Sequence, residues 1–309
     1  MYLTQEQAND KDLITELSQR ALQKTVKSIQ ALNGKISYNY ELNGDTVFKL
    51  PSHRTTPTSW VQQSHYMPCL QEKISYQIPI PNIHQFQLPQ GEIIGCFYPK
   101  IQGHTFSKSS FHQRSMAQKV AFFEELSEAS YQLHTVSPES LPTKFQPFLT
   151  HIAQFLFKNS PQKQEEFKTN ITHIFQSEGI PLSYSALCHT DLHPENVILD
   201  SKNHLVGLLD WDSLCLGSPF MEFHPPLYEL NDLNLFQQVY QRTAKTPIDK
   251  AIIKYMNDTY ENMFYLYAFA HLTSPENFKP KNKPHLLSQK DIQKIFSTDI
   301  NRWANFGRD

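Results

Sequence analysis

Long apolar runs are missing from this sequence: nowhere do about 18 apolar residues follow one another, so no membrane-spanning helix is expected. The opening stretch, MYLTQEQANDKDLITELSQR, is polar and acidic. It has neither the basic start nor the apolar centre of a secretory signal. Charge of one sign is also missing. A formal net charge of −2 leaves no basic footprint for nucleic acid or an anionic membrane surface. Cys69, Cys96, Cys188 and Cys215 form no C-x-x-C pair. A disulfide framework is not expected in a chain this long, and reduced thiols in a cytoplasmic protein are the reading adopted. The 14 histidines do not combine with these cysteines at zinc spacing. Glycine is scarce, at 9 of 309 residues, so a glycine in a turn carries more information than usual. Apolar residues nevertheless make up 39% of the chain, enough for a sizeable core.

The periodicity changes along the chain. Leu13, Ile14, Leu17, Ala21 and Leu22 recur at helical spacing within 10–30. Ile36, Tyr38, Tyr40 and Leu42 then alternate with polar residues, as a half-buried strand does. Asn43-Gly44 tolerates positive φ at both centres of a type I′ turn, and TVFKL (46–50) returns as the second strand, with Lys49 near its end. A helix is expected from about Ser59, kinked or broken at Pro68. QIPIPNIHQFQLP (77–89) reads as extended, and EIIGCFYPKIQG (92–103) as a buried strand ending in a turn at Gly103. Residues 114–136, LTHIAQFLFK and EEFKTNITHIFQ read as helices. Strands return at 185–188, 197–200 and 204–210, and further helices are expected through 252–271.

The stretch CHTDLHPENVILDSKNHLVGLLDWD (188–212) carries the chemistry. A strand leads to a loop with His189, Asp191 and Asn196; a hairpin follows and ends at Asp210. The hairpin returns the chain to its starting end, so Asp191, Asn196 and Asp210 can converge. Phosphoryl transfer needs a carboxylate to orient a hydroxyl and accept its proton, and oxygen ligands for magnesium on the phosphates. Asp191 suits the first task, and Asn196 with Asp210 the second. The spacing matches the kinase catalytic loop, with its metal aspartate one hairpin later.

HTDLHPEN followed by LLDWD resembles the aminoglycoside phosphotransferase and choline kinase-like superfamily. LGSPFMEF (216–223) extends the likeness, with Gly217, Pro219 and Glu222 in place and Ser218 where an aspartate is usual. The resemblance implies an α+β, bilobal protein-kinase-like fold. A small antiparallel β-sheet lobe (1–98) and a hinge (99–103) would precede a larger, mostly helical lobe (104–309). It implies ATP and Mg2+ as cofactors, with Lys49 on the nucleotide phosphates and Gly34 and Ser37 in the hairpin covering them. Adenine would dock on the carbonyl of Pro99 and the N–H of Ile101. His189 would tie the loop to neighbouring backbone. The lysine's usual helix glutamate has no clear counterpart; Glu72 is the candidate, although the expected place falls near Gln62 to His65.

The function so implied is transfer of the γ-phosphate to a hydroxyl of a small molecule, such as an aminoglycoside, choline, ethanolamine or thiamine. A catalytically silent nucleotide-binding module is the alternative. A protein kinase is disfavoured, because DWD stands for D-F-G and no A-P-E follows. Candidates for the acceptor site are Glu222, Tyr228, Glu229, Asp232, Asp258, Tyr260, Glu261, Tyr265 and Tyr267, mixing carboxylates for cations with aromatics for quaternary ammonium. No nucleic-acid or membrane partner is expected.

Overall fold

A computed structural model describes residues 2–32, 37–52, 57–105, 108–156, 160–177, 186–192, 194–219 and 233–244. Two short helices, α1 (Gln5–Asn9) and α2 (Lys11–Leu22), precede a five-stranded antiparallel sheet. Thr4 and Gln7 form a capping box on α1, and Asp10 accepts from two backbone amides at the start of α2. The strands are β1 (Ile29–Leu32), β2 (Ser37–Leu42), β3 (Thr46–Pro51), β4 (Asn82–Leu88) and β5 (Gly91–Pro99), in the order β1-β2-β3-β5-β4. The helical reading of 10–30 therefore stops short. Gln23 caps α2 in the left-handed conformation, at φ 52°, and residues 29–32 pair with β2 instead.

Asn43 and Gly44 both take positive φ (54° and 80°), as the dipeptide predicts. The ladder closes at Leu42↔Thr46, so the loop holds three residues rather than two. The Asn43 side chain accepts from the amides of Lys27 and Ser28, which fixes the approach of β1 to the hairpin.

Period-2 alternation divides the sheet into two faces. Tyr40, Leu42, Phe48, Leu50, Phe86 and Phe97 join Leu3, Ile14 and Leu17 in a core beneath the N-terminal helices. Phe48 stacks on Phe97 with centroids 4.0 Å apart and edges onto Phe86. The register puts Lys49 opposite both Asn39 and Cys96, and Val47 opposite Tyr98. These side chains occupy the other face.

Helix α3 (Pro57–Gln71) continues past Pro68 and is not broken there. The proline falls in the last turn and sacrifices one bond, to the Ser64 carbonyl, while Tyr66, Met67 and Leu70 are buried around it. Because Pro68 itself is exposed, Pro68→Ala is expected to restore that bond without loss of packing. It should raise unfolding stability by about 1–2 kcal/mol in a urea titration; a lower midpoint would show that the proline shapes the helix.

The second half is mostly helical: α4 (Lys108–His112), α5 (Met116–Thr135), α6 (Phe148–Leu156), α7 (Pro161–Ser177) and α8 (Leu233–Ala244). Two small antiparallel ladders lie among them, β6 (Ala186–Cys188) with β9 (Cys215–Gly217), and β7 (Val197–Leu199) with β8 (Leu205–Leu208). A second core gathers Phe111, Phe122, Phe123, Leu126, Leu187 and Trp211, and takes in Tyr66, Met67 and Leu70 from α3. Among the described residues no helix is long and apolar enough to cross a membrane.

Two backbone stitches fasten the β7–β8 hairpin to the segments that enter and leave the β4–β5 pair. On one flank, the Gln77 N–H donates to Val206 O and the Leu208 N–H to Gln77 O. On the other, His104 and Leu199 exchange two bonds of 2.9 Å. Both stitches need glycine. A Cβ on Gly207 would come within 2.9 Å of Gln77 O, and one on Gly103 would crowd Leu199 O more closely still.

Candidate active site

Strand β6 delivers His189, and the turn after it delivers Asp191. His189 is fully buried. Its Nδ1 accepts the Asp191 amide N–H at 3.3 Å, so the ring proton sits on Nε2, which donates to Leu209 O at 2.8 Å. Trp211 packs against the ring, 4.7 Å away and tilted by 70°, and donates its own N–H to Leu208 O. One neutral histidine thus fastens the amide of Asp191 to the strand end that carries Asp210.

The 3-10 turn Pro194–Asn196 then returns the chain toward Asp191. Asn196 Nδ2 donates to the Asp191 carbonyl at 2.8 Å and to the Asp191 carboxylate at 3.1 Å. With Nδ2 so engaged, Oδ1 is the atom of the amide left to meet a cation. The backbone closes the group, since the Leu209 N–H donates to Asn196 O at 2.8 Å. Asp191, Asn196 and Asp210 are therefore brought together, as the spacing 188–212 predicts.

Thr190 and Asp210 both hold left-handed backbone conformations, φ 63° and 59°. For residues other than glycine this costs free energy, and such strain clusters where side chains are aimed for function. Asp210 precedes the 3-10 turn Trp211–Ser213 but makes no capping bond to it, which keeps its carboxylate available.

Asp210 retains solvent-accessible surface, yet burial pushes its pKa up, and the charges of Asp212 and Asp191 add to the rise while Lys49 and His189 oppose it. Lys49 lies within electrostatic reach of the same group. Burial works to lower its pKa, but Tyr98, Asp212, Asp210 and Cys96 more than offset this and hold it above the usual lysine range. The ammonium also lies 5.9 Å from the centre of the Tyr98 ring.

Glu72, the candidate partner of Lys49, is exposed in the turn beyond α3. The charges acting on the lysine come from Asp212 and Asp210 instead. The side chain α3 sends toward the site is Gln63, which is buried and donates from Nε2 to Asp212 Oδ1 at 2.5 Å. Its signal in the sequence was only its place in the helix, because glutamine carries no charge to betray a pairing.

Ser37 begins β2 and donates to Asn39 Oδ1 at 2.9 Å; Asn39 is the cross-strand neighbour of Lys49. Gly34 and the whole set of acceptor candidates, Glu222, Tyr228, Glu229, Asp232, Asp258, Tyr260, Glu261, Tyr265 and Tyr267, lie outside the described residues. Just beyond β5, the Lys100 N–H donates to Asp45 O at 2.8 Å. Antiparallel pairs alternate, so the next pair, Thr46↔Pro99, is a non-bonded one. The Pro99 carbonyl consequently points away from β3, on the side where β4 has already ended at Asn82↔Phe97.

Magnesium requires hard oxygen donors and is content with one or two from the protein, because phosphates and waters complete its shell. Asn196 Oδ1 and the Asp210 carboxylate are of that kind, and the crowded negative charge at Asp210 favours a cation. No group of three or more His, Cys, Asp or Glu side chains that could hold a metal occurs among the described residues.

Three comparisons bear on this geometry. The GDP and kanamycin complex of the aminoglycoside phosphotransferase APH(2″)-IIIa superposes with a TM-score of 0.64 at 16% identity, covering 95% of this chain and 98% of that one. The streptomycin–ATP complex of APH(2″)-IIa gives 0.56 at 16% identity over 95% and 98%. A macrolide 2′-phosphotransferase from Brachybacterium faecium gives 0.55 at 13% identity over 88% and 100%. These likenesses establish the bilobal, protein-kinase-like α+β fold. Among curated proteins, a putative poly(A) polymerase catalytic subunit of African swine fever virus is 27% identical over 111 residues. That stretch is 36% of this chain and 22% of the viral protein, so the chain spans about a fifth of that relative. The sequence profile of the phosphotransferase enzyme family matches residues 28–225, and with most of the chain so covered, this protein is a member of that family.

Proposed function

We propose that the protein transfers the γ-phosphoryl group of ATP or GTP to a hydroxyl of a small molecule, with Asp191 as catalytic base. The observation that carries the reading is the bonded pair Asn196–Asp191, locked to the strand bearing Asp210 through His189 and Leu209. Asp191 would accept the proton of the attacking hydroxyl. Its carboxylate is aimed by Asn196 Nδ2, and its amide is fixed by His189. Holding a base in register with its acceptor is worth about 10²–10⁴ in rate.

Asn196 and Asp210 would hold magnesium, which neutralises charge on the phosphates when bound. Lys49 meets the same phosphates from the sheet. Gly34 and Ser37 would cover them. The Pro99 carbonyl and the Ile101 N–H, two residues further along an extended chain, would take the nucleotide base at the edge that β4 leaves open. The nucleotides in the similar structures, GDP and ATP, support a nucleoside triphosphate donor of either base. Their kanamycin and streptomycin support a polyhydroxylated acceptor.

The test is transfer of the terminal phosphate from γ-labelled ATP and GTP, with magnesium, across a panel of aminoglycosides, a macrolide, choline, ethanolamine and thiamine. Label on one acceptor, lost when magnesium is chelated, is the expected result. Nucleotide binding with no transfer to any acceptor would mark a silent module, and label on protein a protein kinase. Absence of nucleotide binding would overturn the reading altogether.

A further inference from the structure

The β7–β8 hairpin is a short lever with the candidate metal ligands at its open end. Strand β7 starts immediately after Asn196, and β8 ends at Leu208, just before Leu209 and Asp210. The pairing is irregular: Ile198 faces Gly207 but Leu199 faces Leu205, so Val206 is an extra residue in β8. A slip of β8 by one residue would carry Asp210 about 3.3 Å along and turn it to the other face. Contacts from outside the hairpin oppose that slip. Gln77 takes the outer edge of β8 at Val206 and Leu208. Toward the turn, helix α5 takes over: Glu125 Oε2 accepts the Leu205 N–H at 2.5 Å, and Oε1 meets His204 Nδ1 at 2.6 Å. One half-buried carboxylate thus holds two consecutive residues where β8 begins. The turn itself is tightly tied, since Asp200 Oδ1 accepts from the amides of Lys202 and His204 at 2.8 and 2.9 Å.

We propose that Glu125 is a positioning residue for the reaction proposed above: by gripping His204 and the Leu205 N–H it pins the register of β8 and so keeps Asp210 beside Asn196. The inference rests on that functional reading. Glu125 touches neither ligand. It acts through the hairpin, whose open end is closed by the bond from the Leu209 N–H to Asn196 O. Without it the Leu205 N–H, half-buried, loses its acceptor, and the extra residue at Val206 is free to move.

Charge sets how firmly the clamp grips. His204 is exposed, with Glu125 facing it from α5 and Asp200 and Lys202 from its own turn; Arg114 reaches the adjacent Asn203 Oδ1 at 3.0 Å. The bond and the charge of Glu125 raise the imidazole pKa, and Asp200 adds to the rise, while desolvation and Lys202 oppose it. A raised pKa means that the ion pair is complete at the acid end and is lost as pH climbs through that value. Glutamine at this position keeps an oxygen for the Leu205 N–H, and its NH2 can donate to a neutral imidazole. It cannot also serve an imidazolium, because two donors would then compete for one oxygen.

Mn2+ titrated against the full chain with the β,γ-imido analogue of ATP or GTP, and read from the signal of the free ion in EPR, tests this without turnover. At about pH 8, where the imidazole is neutral, Glu125→Ala is expected to weaken Mn2+ binding about tenfold and Glu125→Gln by less than about threefold. Simple attraction of a cation by a distant carboxylate predicts equal losses, because both variants lose the charge. Glu124→Ala removes the neighbouring acid, which pairs with Arg242, and should bind as the wild type does. Toward about pH 6 the deficit of Glu125→Gln relative to wild type should widen to about fivefold, and adding His204→Ala should abolish the widening. Unchanged binding in Glu125→Ala overturns the proposal, as does a glutamine variant as weak as the alanine one. Should Glu125→Ala not fold, a glutamine deficit that is the same at both pH values overturns it. Failure of the wild-type chain to bind Mn2+ with either analogue would instead remove the underlying functional reading.

Discussion

Asp191→Asn is expected to lower kcat by about 10³-fold while leaving the dissociation constant for the magnesium nucleotide unchanged or slightly smaller. The substitution keeps shape and hydrogen-bonding reach but removes proton acceptance. The Asn196 amide, 3.1 Å from the carboxylate, finds an oxygen in either side chain, so the loop should hold. The small tightening follows from charge, since Asp191 contributes to the negative potential around Asp210 that a polyphosphate must enter. Nucleotide titration beside steady-state kinetics checks both halves. Activity within tenfold of wild type would show that another group takes the proton.

Gly103→Ala should be the most damaging small substitution. Gly103 has φ +148°, and a Cβ there would stand within 2.6 Å of Ile198 Cγ2 and closer still to Leu199 O. Backbone atoms cannot yield as a side-chain end can, so the Gly103 turn or β7 must shift and the His104–Leu199 stitch must loosen. A cost of about 3–5 kcal/mol is expected, with a melting temperature roughly 10 °C lower. Activity should fall with it, because β7 begins immediately after Asn196. Gly44→Ala is the control. Its φ is also positive, at +80°, but the nearest atom is 3.9 Å away and is the tip of Glu41; only about 1 kcal/mol should be lost. Equal losses at the two glycines would contradict a steric role for Gly103.

Local chemistry made much of this legible from the residues alone. Alternation at 36–50 and the Asn43-Gly44 turn gave the hairpin, and the spacing from Asp191 to Asp210 gave a convergent site. Contacts far apart in sequence were hidden. Strand β1 is short, and its polar pattern resembles the end of a helix; only its pairing with β2 makes it a strand. Strand β9, CLG, has three residues and exists because β6 lies beside it. Pro68 reads as a breaker until the burial of its neighbours is known. Gln63 was the deepest concealment. Helix α3 carries no acid, and the acid its Gln63 meets, Asp212, stands 149 residues along the chain on the 3-10 turn between β8 and β9.

The division of the two cores has a mechanical consequence. Tyr66, Met67 and Leu70 seat α3 in the apolar interior of the helical half, whereas the sheet bearing Lys49 is glued to α1 and α2. If the sheet rocks over a nucleotide, Lys49 travels with β3, while α3 and Gln63 are held by the helical half through Tyr66, Met67 and Leu70. Amide exchange should then divide the chain along that seam, with α3 protected together with α5 and not with the strands it follows.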